Sequence, residues 1–216
     1  MTTLKNQREL LKSQRENQKK KTTFTVIGII AVVALAFLLI YFIPRRKVDG
    51  PSAGDPEAPV KVAQFSNFTC SHCQNYARES EASFFRDYVD SGKVYITYYD
   101  FQFQEDASTK AAQATYCAGE QNKFWEYKKL VYQNAGYSGA YADESLRNYA
   151  SDVNLDMASF ESCLASDRPA KVIEDGRNYG KALGVNATPT FIVNGKLVYQ
   201  TELRATVDAA LAEAGK

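Results

Sequence analysis

The sequence predicts an α/β domain whose elements run βα, β, a helical block and then ββα, preceded by one N-terminal transmembrane helix. Three observations support this prediction. A charge-free apolar run lies near the N-terminus, a Cys-x-x-Cys pair directly follows a short apolar strand, and a helical block at about 105–182 separates two strand-rich segments.

The first element is the apolar run, "FTVIGIIAVVALAFLLIYFI", at residues 24–43. At ~1.5 Å per residue, twenty residues reach roughly 30 Å, the thickness of a bilayer core. A cleaved signal peptide is the alternative, but its apolar region is about 7–15 residues long and ends in small residues. This run ends in bulky residues. It is also not followed by the Cys that would indicate a lipoprotein. We therefore predict an uncleaved anchor.

The charges around this run predict its orientation. Residues 1–23 carry seven Lys/Arg and two Glu, whereas residues 48–216 carry sixteen Lys/Arg and twenty-three Asp/Glu. The positive-inside rule places residues 1–23 in the cytoplasm and the remainder outside the cell membrane, in an oxidising compartment. The basic segment is thus interpreted as a topology signal and not as a nucleic-acid site.

Residues 44–59 predict a linker, because they hold four Pro and two Gly and show no apolar periodicity. The outer domain then spans 60–216, which is long enough for one core. Its first strand is "VKVAQF" at 60–65. A helix follows from Cys70 to about Val89, because apolar or small residues recur every three or four positions and place Cys73 on the buried face.

The remaining elements follow from turn signals. "KVYITYYDFQF" at 93–103 predicts a second strand. Asn194-Gly195 predicts the turn of a hairpin at 190–200, and a last helix is predicted at 203–214. Gly, Ser, Asp and Pro divide the helical block into five segments, near 105–118, 121–134, 142–150, 156–166 and 168–182.

The motif "CSHC" at residues 70–73 includes the only His of the chain, His72. A zinc site would need a fourth ligand, which Cys117 and Cys163 could supply only by lying beside the motif, so no metal is predicted. A purely structural Cys70–Cys73 bond would close a ring too small to add much stability. A Cys-x-x-Cys at a strand-to-helix junction instead favours a redox-active dithiol.

Disulfide exchange needs a thiolate, and the predicted position of Cys70 favours one. Cys70 is expected in the first turn of its helix, with Thr69 as the N-cap, where the helix dipole favours negative charge. His72 could add a positive charge or an N–H donor. A stabilised thiolate stabilises the reduced form, and a dithiol with a stable reduced form is an oxidant.

Three segments, "GDPEAPVKVAQFSNFTCSHC", "FWEY" and "GVNATPTFIVNGK", resemble the DsbA-like thiol–disulfide oxidoreductases, in particular the membrane-anchored branch, over residues 54–214. The resemblance implies a thioredoxin fold with a helical domain inserted between the second and third strands. Two positions depart from the family pattern. Ser71 replaces the common Pro, and Gln64 replaces an acidic residue, so this chain should lack a titrating side chain there.

The resemblance also implies roles for particular residues. Cys70 forms mixed disulfides with substrates, Cys73 resolves them, and His72 biases the pair towards oxidation. Thr188 and Pro189 form a cis peptide bond that faces the cysteines and docks the substrate. For Cys117 and Cys163, an oxidising compartment favours a bond to each other, which some relatives carry, with two buried free thiols as the alternative.

The function implied is a membrane-anchored dithiol oxidase that donates disulfides to reduced exported proteins. It needs no metal or organic cofactor, but it needs a membrane re-oxidant, either DsbB-like or vitamin K epoxide reductase-like. Two alternatives stay open. One is a reductase or isomerase of the same compartment, and the other is a binding or chaperone module whose cysteines are vestigial.

Overall fold

A computed structural model of the chain describes residues 49–103 and 107–215. The chain divides into two units, Met1–Lys47 and Val48–Lys216, and the described residues belong to the second. The predicted cytoplasmic segment 1–23 and the predicted anchor 24–43 therefore lie outside the described residues. Among the residues that are described, no helix combines the length and the apolar character needed to cross a membrane.

The strands form one five-stranded sheet in the order β1-β3-β2-β4-β5. Its members are β1 (Ser52–Ala53), β2 (Val60–Ser66), β3 (Val94–Asp100), β4 (Thr190–Val193) and β5 (Lys196–Tyr199). The two long strands β2 and β3 run parallel, and the other neighbours are antiparallel. At the predicted hairpin turn Asn194 and Gly195 both have positive φ, as a two-residue hairpin turn requires.

Eight α-helices are found in the described residues. They are α1 (Ser71–Glu79), α2 (Glu81–Phe84), α3 (Ala107–Gly119), α4 (Phe124–Asn134), α5 (Asp143–Asp152), α6 (Met157–Leu164), α7 (Arg168–Ala182) and α8 (Leu203–Glu213). A π-helical turn, Phe85–Val89, continues α2. Helices α3–α7 lie between β3 and β4 in the chain, which is where the sequence predicted the insertion.

The structure corrects the prediction of one helix from Cys70 to Val89. Ser80 leaves helical geometry, with φ −120° and ψ −34°, and separates α1 from α2. The Ser80 carbonyl accepts hydrogen bonds from the Ser83 hydroxyl at 2.9 Å and from the Phe84 N–H at 3.0 Å. The apolar spacing continues through the break, which is why the sequence pattern did not reveal it.

The predicted linker also contains an element that the sequence did not indicate. Ser52 and Ala53 pair with Thr97 and Ile96 of β3 as an edge strand. The Ser52 hydroxyl lies 2.8 Å from that of Thr97, and the Trp125 indole donates to the Ser52 carbonyl at 3.3 Å. A two-residue strand has no periodicity of its own, so only its partners define it.

Helices bury both faces of the sheet. One face packs against α8 and the α1–α2 region, and the other packs against α7. On the α7 side, a Cβ added to Gly180 would lie 2.7 Å from the Phe101 ring and 2.9 Å from the Phe65 ring. The glycine therefore lets α7 lie close to the sheet. The carboxyl ends of β2 and β3 lie together, and α1 begins just after β2.

Candidate active site

A tight turn between β2 and α1 positions the first cysteine. The side-chain oxygen of Asn67 accepts hydrogen bonds from the backbone N–H of Thr69 at 2.8 Å and from its hydroxyl at 2.7 Å. The Cys70 N–H donates to the Asn67 carbonyl at 3.2 Å. Asn favours such turns because its short side chain replaces a backbone acceptor. The turn delivers Cys70 directly to the start of α1.

The N-cap prediction was wrong by one residue. Cys70 itself is the N-cap of α1, with extended backbone angles of φ −74° and ψ 119°, and the first helical residue is Ser71. The Thr69 hydroxyl is directed to Asn67 because that oxygen lies only two residues back. With Cys70 at the N-cap, its sulfur lies next to the free N–H groups at the helix N-terminus, where negative charge is favoured.

The surroundings of Cys70 lower its pKa from 9.0 to about 5. The hydrogen bond from the Cys73 thiol is the main cause, partial burial opposes it, and Thr188 and the backbone N–H groups of Cys73 and His72 add to the lowering. At neutral pH the half-buried Cys70 sulfur is therefore a thiolate, which is the reactive form in disulfide exchange.

Cys73 has the opposite character. Its side chain is 1% exposed, and its sulfur accepts a hydrogen bond from the Asn67 N–H at 3.5 Å. Burial raises the pKa of Cys73, and its hydrogen bond to Cys70 raises it further. The two free thiols thus differ in both access and charge, with Cys70 reachable and ionised and Cys73 enclosed and protonated.

The structure places His72 on the exposed side of α1. The group of His72 that acts on the Cys70 sulfur in the described structure is its backbone N–H. The imidazole contribution inferred from the sequence therefore stays a proposal, and any residue other than proline at position 72 would supply the same backbone donor.

Thr188 and Pro189 lie beside the cysteines. Their peptide bond is cis, and Pro189 is buried at the start of β4. The Cys70 thiol lies 3.3 Å from the Thr188 carbonyl oxygen, to which it can donate in the protonated state. The loop before β4 and the N-terminus of α1, which are 118 residues apart in the chain, therefore meet at one sulfur.

The structure joins Cys117 of α3 to Cys163 of α6 by a disulfide with an S–S distance of 2.00 Å and a Cα–Cα distance of 5.6 Å. Both cysteines are buried in the helical insertion. Because they are bonded to each other, they cannot complete a metal site with the Cys-x-x-Cys pair. Within 49–103 and 107–215, no group of three or more His, Cys, Asp or Glu residues is arranged to hold a metal ion.

Three contributors to the site were missed by the sequence analysis. Asn67 organises the turn and bonds Cys73, and its place three residues before a cysteine was a signal that could have been recognised. Tyr141, from the loop before α5, donates to the Phe68 carbonyl at 2.6 Å. Gln74 donates to the same carbonyl at 2.9 Å. The Tyr141 contact crosses 73 residues, and no local pattern indicates it.

A family model described as Thioredoxin matches residues 46–213, which is most of the chain. The chain belongs to the thioredoxin family. The thioredoxin fold with an inserted helical domain, predicted from the sequence, is thereby confirmed, as is the thiol–disulfide oxidoreductase class.

Individual relatives of this thioredoxin-family chain refine the comparison. "Probable disulfide bond formation protein D" of Bacillus anthracis is 25% identical over 199 residues, covering 84% of this chain and 91% of the relative. Oxidised BdbD of Bacillus subtilis superimposes with a TM-score of 0.68 at 20% identity, covering 76% of this chain and 93% of that one. Chlamydia trachomatis DsbA gives 0.68 at 23% identity, covering 77% and 94%. The DsbA-like recognition is confirmed.

The lowered pKa of Cys70 predicts how the stability of the reduced protein depends on pH. Between about pH 5 and pH 9 the folded protein holds a Cys70 thiolate, while the unfolded chain still binds a proton there. The unfolded state then binds more protons, so the free energy of unfolding of the reduced form should rise with pH through this window and fall as pH drops to about 5. Thermal unfolding of reduced and oxidised protein across this range measures the difference.

A matched pair of variants separates the causes of this low pKa. Cys73→Ala removes the hydrogen bond that lowers the pKa of Cys70 most and should raise this pKa clearly, as followed by thiolate ultraviolet absorbance against pH. His72→Ala keeps the backbone N–H and should raise the pKa of Cys70 less than Cys73→Ala does. A larger rise in the His72 variant would contradict the structural account and assign the main effect to the imidazole.

Proposed function

We propose that this chain is a membrane-anchored, extracytoplasmic dithiol oxidase that donates the Cys70–Cys73 disulfide to reduced exported proteins, called clients below. The observation that carries the proposal is the asymmetry of the two thiols. Cys70 is half-buried with a pKa of about 5, and Cys73 is buried with a raised pKa. A thiolate that is stable at neutral pH stabilises the reduced form of the pair. The oxidised form of such a pair therefore readily transfers its disulfide to other thiols.

The proposed reaction has two displacements. A client thiolate attacks the Cys70 sulfur of the oxidised pair, the Cys70–Cys73 bond breaks, and Cys73 leaves as a thiolate that takes a proton. A second client thiolate then attacks the client sulfur of the mixed disulfide, and Cys70 leaves as its stabilised thiolate. The client gains a disulfide and the enzyme gains two electrons. When the second client thiol is slow, Cys73 attacks Cys70 and resolves the mixed disulfide.

Client docking is proposed at the loop that carries Thr188 and Pro189. The Thr188 carbonyl lies 3.3 Å from the Cys70 sulfur, so a chain segment whose cysteine reaches Cys70 must also pass this loop. An extended client segment can satisfy its backbone groups by pairing with such an edge. His72 is proposed to bias the pair further towards oxidation from the exposed side of α1.

Because each turnover leaves the pair reduced, the proposal includes a membrane re-oxidant of the DsbB-like or vitamin K epoxide reductase-like kind. Residues 24–43 would anchor the domain beside it, with 1–23 in the cytoplasm, 44–59 as the connection and 60–216 as the outer domain. The charge distribution of the sequence supports this topology. Protease treatment of spheroplasts, which lack an outer permeability barrier, should remove the outer domain and leave the N-terminal segment. Protection of the whole chain would contradict the topology.

The reduction potential of the Cys70–Cys73 pair tests the proposed direction. We expect a value near about −120 mV, the level of DsbA, because the Cys70 thiolate stabilises the reduced form. Equilibration of the full-length chain with glutathione buffers, read by thiol alkylation, gives this value. A potential near about −270 mV, the level of thioredoxin, would instead assign a reductase. Unchanged client handling by Cys70→Ser would assign a binding or chaperone module.

A further inference from the structure

A buried charge pair lies beside the active-site helix. The Lys128 ammonium of α4 lies 2.6 Å from both carboxylate oxygens of Glu81, the first residue of α2. The side chain of Lys128 is 1% exposed and that of Glu81 is 13% exposed. Fully buried lysines are rare, and a buried ion pair is often no more stabilising than apolar residues of the same volume. Stability alone therefore gives a weak account of this pair.

The ammonium lies among three aromatic rings, two of which belong to the same buried cluster as Cys73. The Lys128 nitrogen lies 4.9 Å from the ring centroid of Trp125, 5.2 Å from that of Tyr98 and 5.4 Å from that of Tyr132. Tyr98 and Tyr132 belong to one buried cluster with Cys73. These rings hold the cation by cation–π attraction and keep water away from it.

The two charged groups of the pair have different neighbours. Glu81 lines a groove of about 510 Å³ between the α1–α2 region and α4, and it also accepts a hydrogen bond from Gln64 at 3.1 Å. The carboxylate thus faces the groove, whereas the ammonium faces the aromatic cluster. Burial lowers the pKa of Lys128, Glu81 opposes that change, and the Cys73 thiolate also raises it, so Lys128 and Cys73 interact electrostatically.

We propose that the Lys128 ammonium stabilises the thiolate that Cys73 becomes when a client thiolate attacks the Cys70–Cys73 disulfide. This inference rests on the proposed function. In that step the client sulfur bonds to Cys70, the Cys70–Cys73 bond breaks, and its electron pair remains on Cys73. Lys128 acts on this charge through space, so it is a positioning residue, and Glu81 and Gln64 hold it in place.

The step needs such a charge because the immediate surroundings of Cys73 disfavour its thiolate. Burial raises the pKa of Cys73, and a leaving thiolate that is poorly stabilised leaves slowly. A unit charge about 10 Å away, in surroundings with an effective dielectric constant of about 20, changes an equilibrium constant by roughly tenfold. The same charge accelerates the reverse step, in which Cys73 attacks Cys70.

Two rate constants separate this effect from a structural one. The first is the opening of the oxidised pair by reduced glutathione, in which Cys73 is the leaving group. The second is the alkylation of Cys70 by iodoacetamide in the reduced protein, in which Cys73 does not leave. Both are measured on the full-length chain in detergent. For Lys128→Met we expect opening to slow by about tenfold and alkylation to change by less than threefold.

Three further variants sharpen the test. Lys128→Met combined with Glu81→Gln removes both charges together, which avoids an unpaired buried carboxylate, and should slow opening less than Lys128→Met alone, because the Glu81 carboxylate also disfavours the Cys73 thiolate. Lys128→Arg keeps the charge and should restore most of the opening rate. Lys129→Met removes a neighbouring exposed lysine and should leave both rates unchanged.

The outcomes distinguish this inference from the function on which it rests. Slow opening in Lys128→Met that is partly relieved in the double variant, with normal alkylation and rescue by arginine, supports the role of Lys128. Opening within twofold of the natural chain in Lys128→Met overturns it while the oxidase function stands. If the natural oxidised chain does not react with glutathione at all, the proposed function and this inference both fall.

Discussion

Cys73→Ser is expected to trap the enzyme in covalent complexes with its clients, whereas Cys70→Ser is expected to abolish exchange. Cys70 is the half-buried thiolate with a pKa of about 5, so it is the sulfur that can bond to a client. Cys73 is 1% exposed and reaches only the sulfur beside it. In the Cys73 variant the Cys70 thiolate can still attack a disulfide of a client, bonding to one client sulfur while the other leaves as a thiolate. Without Cys73, this mixed disulfide cannot be resolved within the molecule. We expect these complexes on non-reducing gels of cells that express the Cys73 variant, and their loss on addition of reductant.

The double variant Cys70→Ser/Cys73→Ser is the matched control and should show no such complexes. Loss of exchange in Cys70→Ser corresponds to loss of the nucleophile itself, so residual activity should be indistinguishable from background. Complexes that form in Cys70→Ser but not in Cys73→Ser would reverse the assignment of the two cysteines and contradict the burial difference described above.

Removing the Cys117–Cys163 disulfide is expected to cause the largest loss of stability among these changes. The bond spans a sequence separation of 46 residues. The loop-entropy relation gives about 4 kcal/mol for such a loop, an upper value because residual structure in the unfolded chain reduces it. The variant Cys117→Ala/Cys163→Ala should lower the free energy of unfolding by up to this amount, as measured by urea denaturation with the Cys70–Cys73 pair kept in one redox state.

Exchange activity should persist in that variant at temperatures where it stays folded, because the bond joins α3 to α6 and neither residue contacts the Cys70 sulfur in the described structure. The same denaturation of the natural chain after selective reduction provides the control. A free energy of unfolding within about 0.5 kcal/mol of that of the natural chain would mean that the helical packing alone holds the insertion. Loss of exchange activity at temperatures where the variant is still folded would mean that the bond supports the active site.

Several features of this protein followed from the sequence because their signals are local. The Cys-x-x-Cys pair after an apolar strand indicated the site, and Asn194-Gly195 indicated the hairpin turn that the structure contains. The five helical segments of the insertion were predicted within a few residues, since apolar spacing and Gly, Ser and Pro signals act over one or two turns. The difference between Cys70 and Cys73 was also visible in part, because the helical spacing placed Cys73 on the buried face.

Other features depended on residues that are distant in the chain. The edge strand at Ser52 exists because Thr97 offers it a partner, and the Cys70 sulfur meets Thr188 across 118 residues. The Lys128–Glu81 pair was invisible, because a lysine in a helical pattern predicts an exposed side chain and only the packing of α4 against the α1–α2 region buries it. The local spacing of the sequence therefore determined which thiols react. Tertiary packing decided which charges lie near them, because electrostatic energies depend on burial and on distance through space.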